Sequence, residues 1–331
     1  MRRVGLVLAL AALSPTLAAS RPNERQILAR PFPMEAAPSF PGGLFHWVDS
    51  LAGTSGGKTV PAYRRDYVQR FGPIGDDDAV HLRAFAALRA QRPTSYLLGV
   101  FCSARGIDDA LTSVKAELPP GAWDDLAAAL AHFRTKYEVI WNDGEIPRSF
   151  LERARRDPSR KRLEALLSKI VRFYRVDPLT APPPRLALVP VPSGFGTHAE
   201  AIGRVLLIEI RREDALADEA SVIVHETSHF LWGLVPPDRQ RRLAEHASSL
   251  GPAAPRIFAL LGEAVPTALG QGVADRMFDP RRWSIDGPWY HTPEVDGCAK
   301  KIYPLVQEAL DSGGALDEAF LDRVFRAVAS P

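Results

Sequence analysis

Cysteine is scarce in this sequence, where only Cys102 and Cys298 occur among 331 residues. Two cysteines so far apart exclude a cysteine-based metal cluster and the disulfide-dense framework of small secreted domains. In an exported protein they could form one disulfide, and they could equally be two buried thiols, because sequence separation does not determine their distance in space. The sequence leaves both alternatives open.

An excess of charge is also lacking. The chain carries 41 basic and 39 acidic residues, and 46% of its residues are hydrophobic. These values are typical of a globular protein with a real core, and they give no electrostatic basis for a nucleic-acid or anionic-membrane partner. The one locally basic stretch, residues 148–175, has acidic residues interleaved at helical spacing, so we interpret it as a solvated helix face.

The N-terminus follows the order of a secretory signal peptide. Arg2 and Arg3 are followed by an apolar run over residues 4–13, by Pro15 and then by small residues. The run is about ten residues long, which is too short to cross a bilayer. We therefore predict a cleaved signal peptide at residues 1–19 and a secreted or periplasmic protein without stable membrane insertion.

Hydrophobic periodicity predicts an α+β protein that is mostly helical and has a small mixed sheet. Residues 20–175 are expected to form a mostly helical region of unknown role. Within it, residues 20–60 are rich in proline, glycine and serine and are predicted to wrap the surface, while the apolar run at 95–102 could be a strand. Helices are predicted at residues 63–92, 107–118 and 122–139, with two more basic helices reaching residue 174.

Residues 176–331 have a different character. Strands are predicted within residues 182–192 and at 205–211, separated by a glycine-bearing loop at 193–203. A helix is predicted from Asp214 to about Leu234, where two prolines stop it. Only helices follow, at residues 253–278 and, as a pair, within 293–329.

Residues 225–229 read His-Glu-Thr-Ser-His within the predicted long helix. Two histidines four residues apart share one face of a helix, so both imidazoles can bind one metal ion at roughly 2.0–2.1 Å. Glu226 is offset by one residue, so its carboxylate can accept a proton from the attacking water and pass it to a leaving amine. Apolar residues flank the motif, and polar side chains in a buried helix need a partner such as a metal.

This pattern resembles the active-site helix of the zincin metallopeptidases, over roughly residues 185–280. The resemblance implies a bound Zn²⁺, hydrolysis of peptide bonds, and an antiparallel edge strand before the helix that binds the substrate by strand addition. Residues 205–211, or the strand before them, are the expected edge. Residues 176–331 would then be the catalytic region with a helical C-terminal part, while the N-terminal half resembles no family.

The third zinc ligand distinguishes the zincin subgroups. The metzincin pattern is excluded, because Trp232 stands where it needs glycine and no histidine follows at the required position. Gluzincins take a Glu from a later helix, and Glu263 is the best candidate because it is a lone acidic residue in an apolar segment. Glu245 and His246 are the rivals, although their arginine-rich helix explains them by surface ion pairing.

A group that stabilises the developing oxyanion is the last expected part of the site. The resemblance implies a Tyr or His downstream of the third ligand. Tyr290 and His291, in a loop between helices, are the candidates, and Tyr303 is the alternative. Each of them could equally be an ordinary aromatic residue packed on the body of the protein.

Together these features predict an exported zinc-dependent metallopeptidase that hydrolyses a peptide or protein substrate, with Glu226 as general base. The alternative is a catalytically inactive, zinc-stabilised binding or interaction protein with a zincin-like fold. An inactive relative often loses the general base, and Glu226 is present, which favours the enzyme.

Overall fold

The computed structural model describes residues 35–55, 60–91, 94–177, 184–192, 197–281 and 283–329. The predicted signal peptide, residues 1–19, lies outside the described residues. The described part is mostly helical and contains one small mixed sheet. This confirms the predicted α+β class.

The sheet has four strands in the spatial order β1-β2-β4-β3. They are β1 (Glu35–Pro38), β2 (Arg185–Pro190), β3 (Ala199–Ile202) and β4 (Val205–Ile210). The first, second and fourth strands run parallel, while β3 pairs antiparallel with β4 and forms one edge. In the pair formed by β3 and β4, Ala199 lies opposite Ile208 and Ile202 lies opposite Val205.

Both faces of the sheet are covered by helices, which explains the unbroken apolar run of β4. Successive side chains of a strand point to opposite faces. Leu206 and Ile208 accordingly enter one hydrophobic core, and Val205 and Leu207 enter the other. A strand that is buried on both sides reads as a continuous hydrophobic segment instead of an alternating one.

The first helical layer comes from the N-terminal half of the chain and packs on the face that bears Val205 and Leu207. Its core is rich in large aromatic side chains, among them Trp47, Phe101 and Phe133. The helices of this layer are α1 (Phe40–Ala52), α2 (Val60–Phe71), α3 (Asp76–Gln91), α4 (Thr94–Ser103), α5 (Ile107–Val114) and α6 (Pro120–Trp141).

The second helical layer covers the other face and contains the histidine motif. A 3₁₀ turn, Asn142–Gly144, leads into it. Its helical segments are α7 (Glu145–Arg156), α8 (Ser159–Phe173), α9 (Leu216–Leu234), α10 (Pro237–Ser249), α11 (Ala254–Thr267), the π-helical segment Ala268–Ala274, α12 (Asp275–Phe278), α13 (Pro293–Ser312) and α14 (Glu318–Ala329).

Two predictions for the N-terminal half are wrong. The run at residues 95–102 is helix α4, in which Leu97, Leu98 and Phe101 are buried on one face. A short apolar run fits a buried helix as well as a strand, so its periodicity does not distinguish between these two structures. Residues within 20–60 include the buried helix α1, whose start is capped by the Ser39 hydroxyl accepting the N–H of Gly42 at 3.2 Å.

The edge of the sheet was also assigned wrongly. Both expected edge strands, at residues 205–211 and within 182–192, are interior strands. The antiparallel edge strand, β3, lies inside the segment 193–203, which the sequence predicts as a loop. Its four residues, Ala-Glu-Ala-Ile, are too few and too weakly apolar to show a strand pattern, and Gly203 (φ 57°) turns the chain back into β4.

The two cysteines are free and buried. Cys102 lies in the core of the first helical layer and Cys298 in the core of the second. The sheet separates these two cores, so the disulfide alternative is wrong.

The helical run Ala254–Phe278 is long and apolar enough to span a membrane by length and composition, and 67% of its most apolar window is buried inside the protein. It lies in the second layer, where it contacts α9 and α13. Burial in the protein core accounts for its apolar character. The predicted helical region at residues 253–278 is confirmed.

Glu219, near the start of α9, is a buried carboxyl group close to Asp214. Burial, together with the charge of Asp214 and a hydrogen bond to it, raises the pKa of Glu219 from 4.5 to about 9. Arg211 forms an ion pair with Asp214 at 2.7 Å, so Glu219 is the member of this group that retains a proton. Its protonation is therefore linked to folding.

We expect the free energy of unfolding to fall as the pH rises from about 5 to about 9, by up to ~1.4 kcal/mol per pH unit. Over that range the folded state keeps the Glu219 proton that the unfolded state has released, so rising pH favours unfolding. Glu219→Gln should flatten this dependence, which urea unfolding at pH 6 and pH 8.5 measures. An equal slope in wild type and variant would contradict the assignment.

Candidate metal centre

Helix α9 brings the two motif histidines together. His225 and His229 lie one turn apart, and their Nε2 atoms are separated by 3.2 Å. Their ring centroids are 4.9 Å apart at an interplanar angle of 62°. Both side chains therefore point their Nε2 atoms at the same small volume.

Glu263 supplies the third donor from helix α11. Its Oε2 atom lies 3.5 Å from the Nε2 atom of His225 and 3.5 Å from that of His229. Three ligands at tetrahedral angles, about 2.0–2.1 Å from one zinc ion, are separated by about 3.3–3.4 Å. The observed triangle matches that spacing within about 0.2 Å, so the three residues fit a zinc ion.

The ionisation state of Glu263 agrees with a cation site. Burial would raise the pKa of Glu263, but hydrogen bonding to His225 and His229 outweighs it and holds that pKa well below its usual range. Burial would lower the pKa of His229, but the contact with Glu263 outweighs it and raises that pKa. Glu263 is therefore an ionised carboxylate, which is the form that binds a metal.

The π-helical segment positions a partner for His225. Gln271 Oε1 lies 3.4 Å from the Nδ1 atom of His225, at the long end of hydrogen bonding. If the amide oxygen accepts the Nδ1 proton, the Nε2 lone pair of His225 is left facing the triangle. Single π-helical turns occur often at functional sites, because they change which side chains face a neighbouring helix.

Gly270 allows the π-helical segment to approach α9. A Cβ atom at this position would lie 2.6 Å from the backbone oxygen of Ser221 and 3.1 Å from the Cβ of His225. No side chain fits there without moving the backbone. The glycine therefore sets the distance at which Gln271 meets His225.

Glu226 lies beside the triangle on the side of the edge strand. Its carboxylate accepts a hydrogen bond from the backbone N–H of Ala201 in β3. Burial raises the pKa of Glu226, against the opposing effect of the two histidines. A raised pKa makes this carboxylate a stronger base than an exposed glutamate.

A cleft of about 950 Å³ contains the triangle and Glu226. One wall is the edge strand with the residues just before it, and the opposite wall is the loop between α12 and α13. Side chains that line it beyond the motif include His198, Glu200, Gln271, Tyr290 and His291. The cleft is large enough for several residues of an extended peptide.

No family model, no curated protein and no solved structure matches this chain.

A buried network holds the start of the edge strand. The Glu209 carboxylate in β4 lies 2.8 Å from His46 Nε2, accepts the Tyr63 hydroxyl at 2.9 Å, and accepts the backbone N–H of His198 at 2.8 Å. Glu209 is fully buried. The first helical layer is thus connected through one carboxylate to the strand that lines the cleft.

The loop between α12 and α13 holds Tyr290 over the site. Asp296, in the first turn of α13, accepts the backbone N–H groups of Trp289 and Tyr290 at 2.6 and 3.0 Å. The Tyr290 hydroxyl donates to Glu263 at 3.1 Å, and burial together with Glu263 raises the pKa of Tyr290 to about 12. Tyr290 therefore stays protonated at neutral pH and remains a hydrogen-bond donor.

The remaining candidates for the third ligand and for the oxyanion-stabilising group differ in whether they line the cleft. His291 lines the cleft beside Tyr290. Tyr303 does not line it, and its hydroxyl accepts a hydrogen bond from Arg276 at 2.8 Å. His246, on α10, contacts Asp322 of α14 at 2.8 Å. Neither His246 nor the exposed Glu245 belongs to the triangle or lines the cleft.

The cleft-lining side chains of Gln271, His198 and Glu200 were not identified from the sequence. Gln271 had a usable signal, since it is a lone polar residue in the apolar run ALGQGVA. His198 and Glu200 had none, because they were assigned to a loop. Their position next to the motif depends on the pairing of β3 with β4.

Proposed function

We propose that this protein is an exported, gluzincin-like zinc metallopeptidase that hydrolyses peptide bonds. His225, His229 and Glu263 are the zinc ligands, and Glu226 is the general base. The observation that carries the proposal is the donor triangle, whose sides of 3.2, 3.5 and 3.5 Å suit one tetrahedral zinc ion. The antiparallel edge strand beside the motif helix supports the zincin-like assignment.

The chemistry follows from the positions of the side chains. When bound, zinc supplies Lewis-acid polarisation of the scissile carbonyl and makes the attacking water more acidic. Glu226 accepts a proton from that water and delivers it to the leaving amine. The hydroxyl of Tyr290 stays protonated, and by exchanging its hydrogen bond to Glu263 it would donate to the developing oxyanion, with His291 as the second candidate for this role.

The edge strand accounts for the binding of an extended substrate. Glu209 donates its N–H to the carbonyl of His198, so these two residues form a hydrogen-bonded pair. From that position, non-hydrogen-bonded and hydrogen-bonded pairs alternate along β3 and β4. By this alternation Ala199 and Ala201 direct their backbone groups to the outer edge of the sheet, where the N–H of Ala201 donates to Glu226. A peptide added there as a further strand would lie across the zinc ligands.

Metal removal tests the proposal. We expect purified residues 20–331 to contain at least one zinc per chain and to cleave members of a peptide library, as detected by mass spectrometry. Treatment with 1,10-phenanthroline should abolish cleavage, and added Zn²⁺, but not Mg²⁺, should restore it. A protein that holds no metal even after zinc is supplied would refute the assignment, and a zinc-bound protein without cleavage would favour the inactive binding protein.

A further inference from the structure

A second group of metal-binding side chains lies in the first helical layer, on the surface between α3 and α6. Asp77 and His81 are four residues apart on α3, and His132 comes from α6. One donor atom from each of the three lies within 4.8 Å of the other two. Asp77 and His81 share a helix face by their spacing, and the packing of α3 on α6 brings His132 to them.

The imidazole rings of His81 and His132 are stacked. The ring centroids of His81 and His132 are 4.3 Å apart at an interplanar angle of 26°, so the His81 ring has to rotate for both lone pairs to face one ion. The Nδ1 atom of His132 lies 3.6 Å from the Oδ2 atom of Asp77, which is too long for a hydrogen bond. It is close to the separation of about 3.3–3.4 Å between two ligands of one tetrahedral zinc ion.

A carboxylate behind His132 holds that ring in the orientation a ligand needs. The Nε2 atom of His132 lies 2.7 Å from the Oδ1 atom of Asp78. An ionised carboxylate accepts hydrogen bonds and cannot donate them. Nε2 therefore carries the proton, and in the neutral ring the Nδ1 lone pair faces Asp77. Tyr67 and Lys136 in turn hydrogen-bond to Asp78 and hold it in place.

The arrangement is the one by which outer carboxylates orient metal-binding histidines. Lys136 pairs with Asp78, whereas the side chain of Asp77 is 83% exposed and lies beside His132. We propose that Asp77, His81 and His132 form a second metal site, which binds a divalent transition-metal ion such as Zn²⁺ and joins α3 to α6. Two imidazoles and one carboxylate favour such ions over Mg²⁺ or Ca²⁺. The proposal does not depend on the peptidase assignment.

Zinc titration of purified residues 20–331 after a chelator has removed bound metal, followed by isothermal calorimetry, tests this site. We expect wild type to bind two zinc ions and no Mg²⁺ at the second site, while His81→Ala and His225→Ala should each bind one. His246→Ala is the matched control, because it removes another half-buried histidine that contacts a carboxylate, and it should bind two. Asp77→Asn, a change of charge at an exposed position, should weaken the second site at least ~10-fold.

The outcomes separate the two centres. Binding of one zinc by wild type that is retained in His81→Ala and lost in His225→Ala would overturn the second site and leave the first intact. Two ions in both wild type and His81→Ala would also overturn it. Retention of the second ion in His225→Ala, with its loss in His81→Ala, would support it even if the protein proved to have no peptidase activity.

Discussion

Glu226→Gln is expected to reduce peptide cleavage by about 10²–10⁴-fold while zinc remains bound. The amide keeps the size of the side chain but cannot accept a proton from the attacking water. Glu226 is not one of the three donors of the triangle, so zinc is expected to stay bound when its charge is removed. On the proposed function, the variant should lose only the proton transfer.

The assay compares initial cleavage rates and zinc content of wild type and variant on the same peptides. Glu245→Gln is the matched control, because it makes the same chemical change on the exposed helix α10 and should change neither quantity. Full activity in Glu226→Gln would refute the assigned base. Loss of zinc together with activity would instead mean that Glu226 is a ligand or supports the fold of the site.

Glu263→Ala is expected to weaken zinc binding by more than about 100-fold. Loss of a partner that only orients a ligand already costs about 10–100-fold in metal affinity, and Glu263 would contact the metal directly. The reason is geometric, since its Oε2 atom completes the triangle with the two histidines at 3.5 Å from each. Two histidines alone leave zinc short of the three protein ligands of a catalytic site.

Competition with a chromophoric chelator measures this affinity. The comparison is made in the His81→Ala background, so that the proposed surface site does not contribute. Glu226→Gln in the same background is the control and should retain wild-type affinity, although it too neutralises a carboxylate beside the histidines. Unchanged zinc binding in Glu263→Ala would show that the third ligand comes from another residue of the cleft, such as Glu200 on the edge strand.

Helical periodicity made the centre of the site readable from the sequence. His225 and His229 share a face because four residues make about one turn, and this relation holds in any α-helix. The apolar flanks predicted a buried helix, and α9 is buried at Ile223, Val224 and Leu231. Glu263 was singled out because an isolated carboxylate in an apolar helix needs a partner, and the structure places it 3.5 Å from both histidines.

The walls of the cleft were not readable in this way. The edge strand β3 exists because four weakly apolar residues pair with β4, and their own pattern carries no strand signal. Gln271 meets His225 because a π-helical turn and the absent side chain of Gly270 let two helices approach closely. The surface group of Asp77, His81 and His132 likewise depends on the packing of α3 against α6.

The sequence by itself determined the mostly helical α+β class, the motif helix and the identity of three residues that meet in one triangle. Only the tertiary structure decided which strand is the edge, that the cysteines lie in separate cores, and which side chains surround Glu226. The physical reason is the range of the interactions. Spacing along one helix is set by local backbone geometry, whereas contacts between distant segments depend on how whole faces pack.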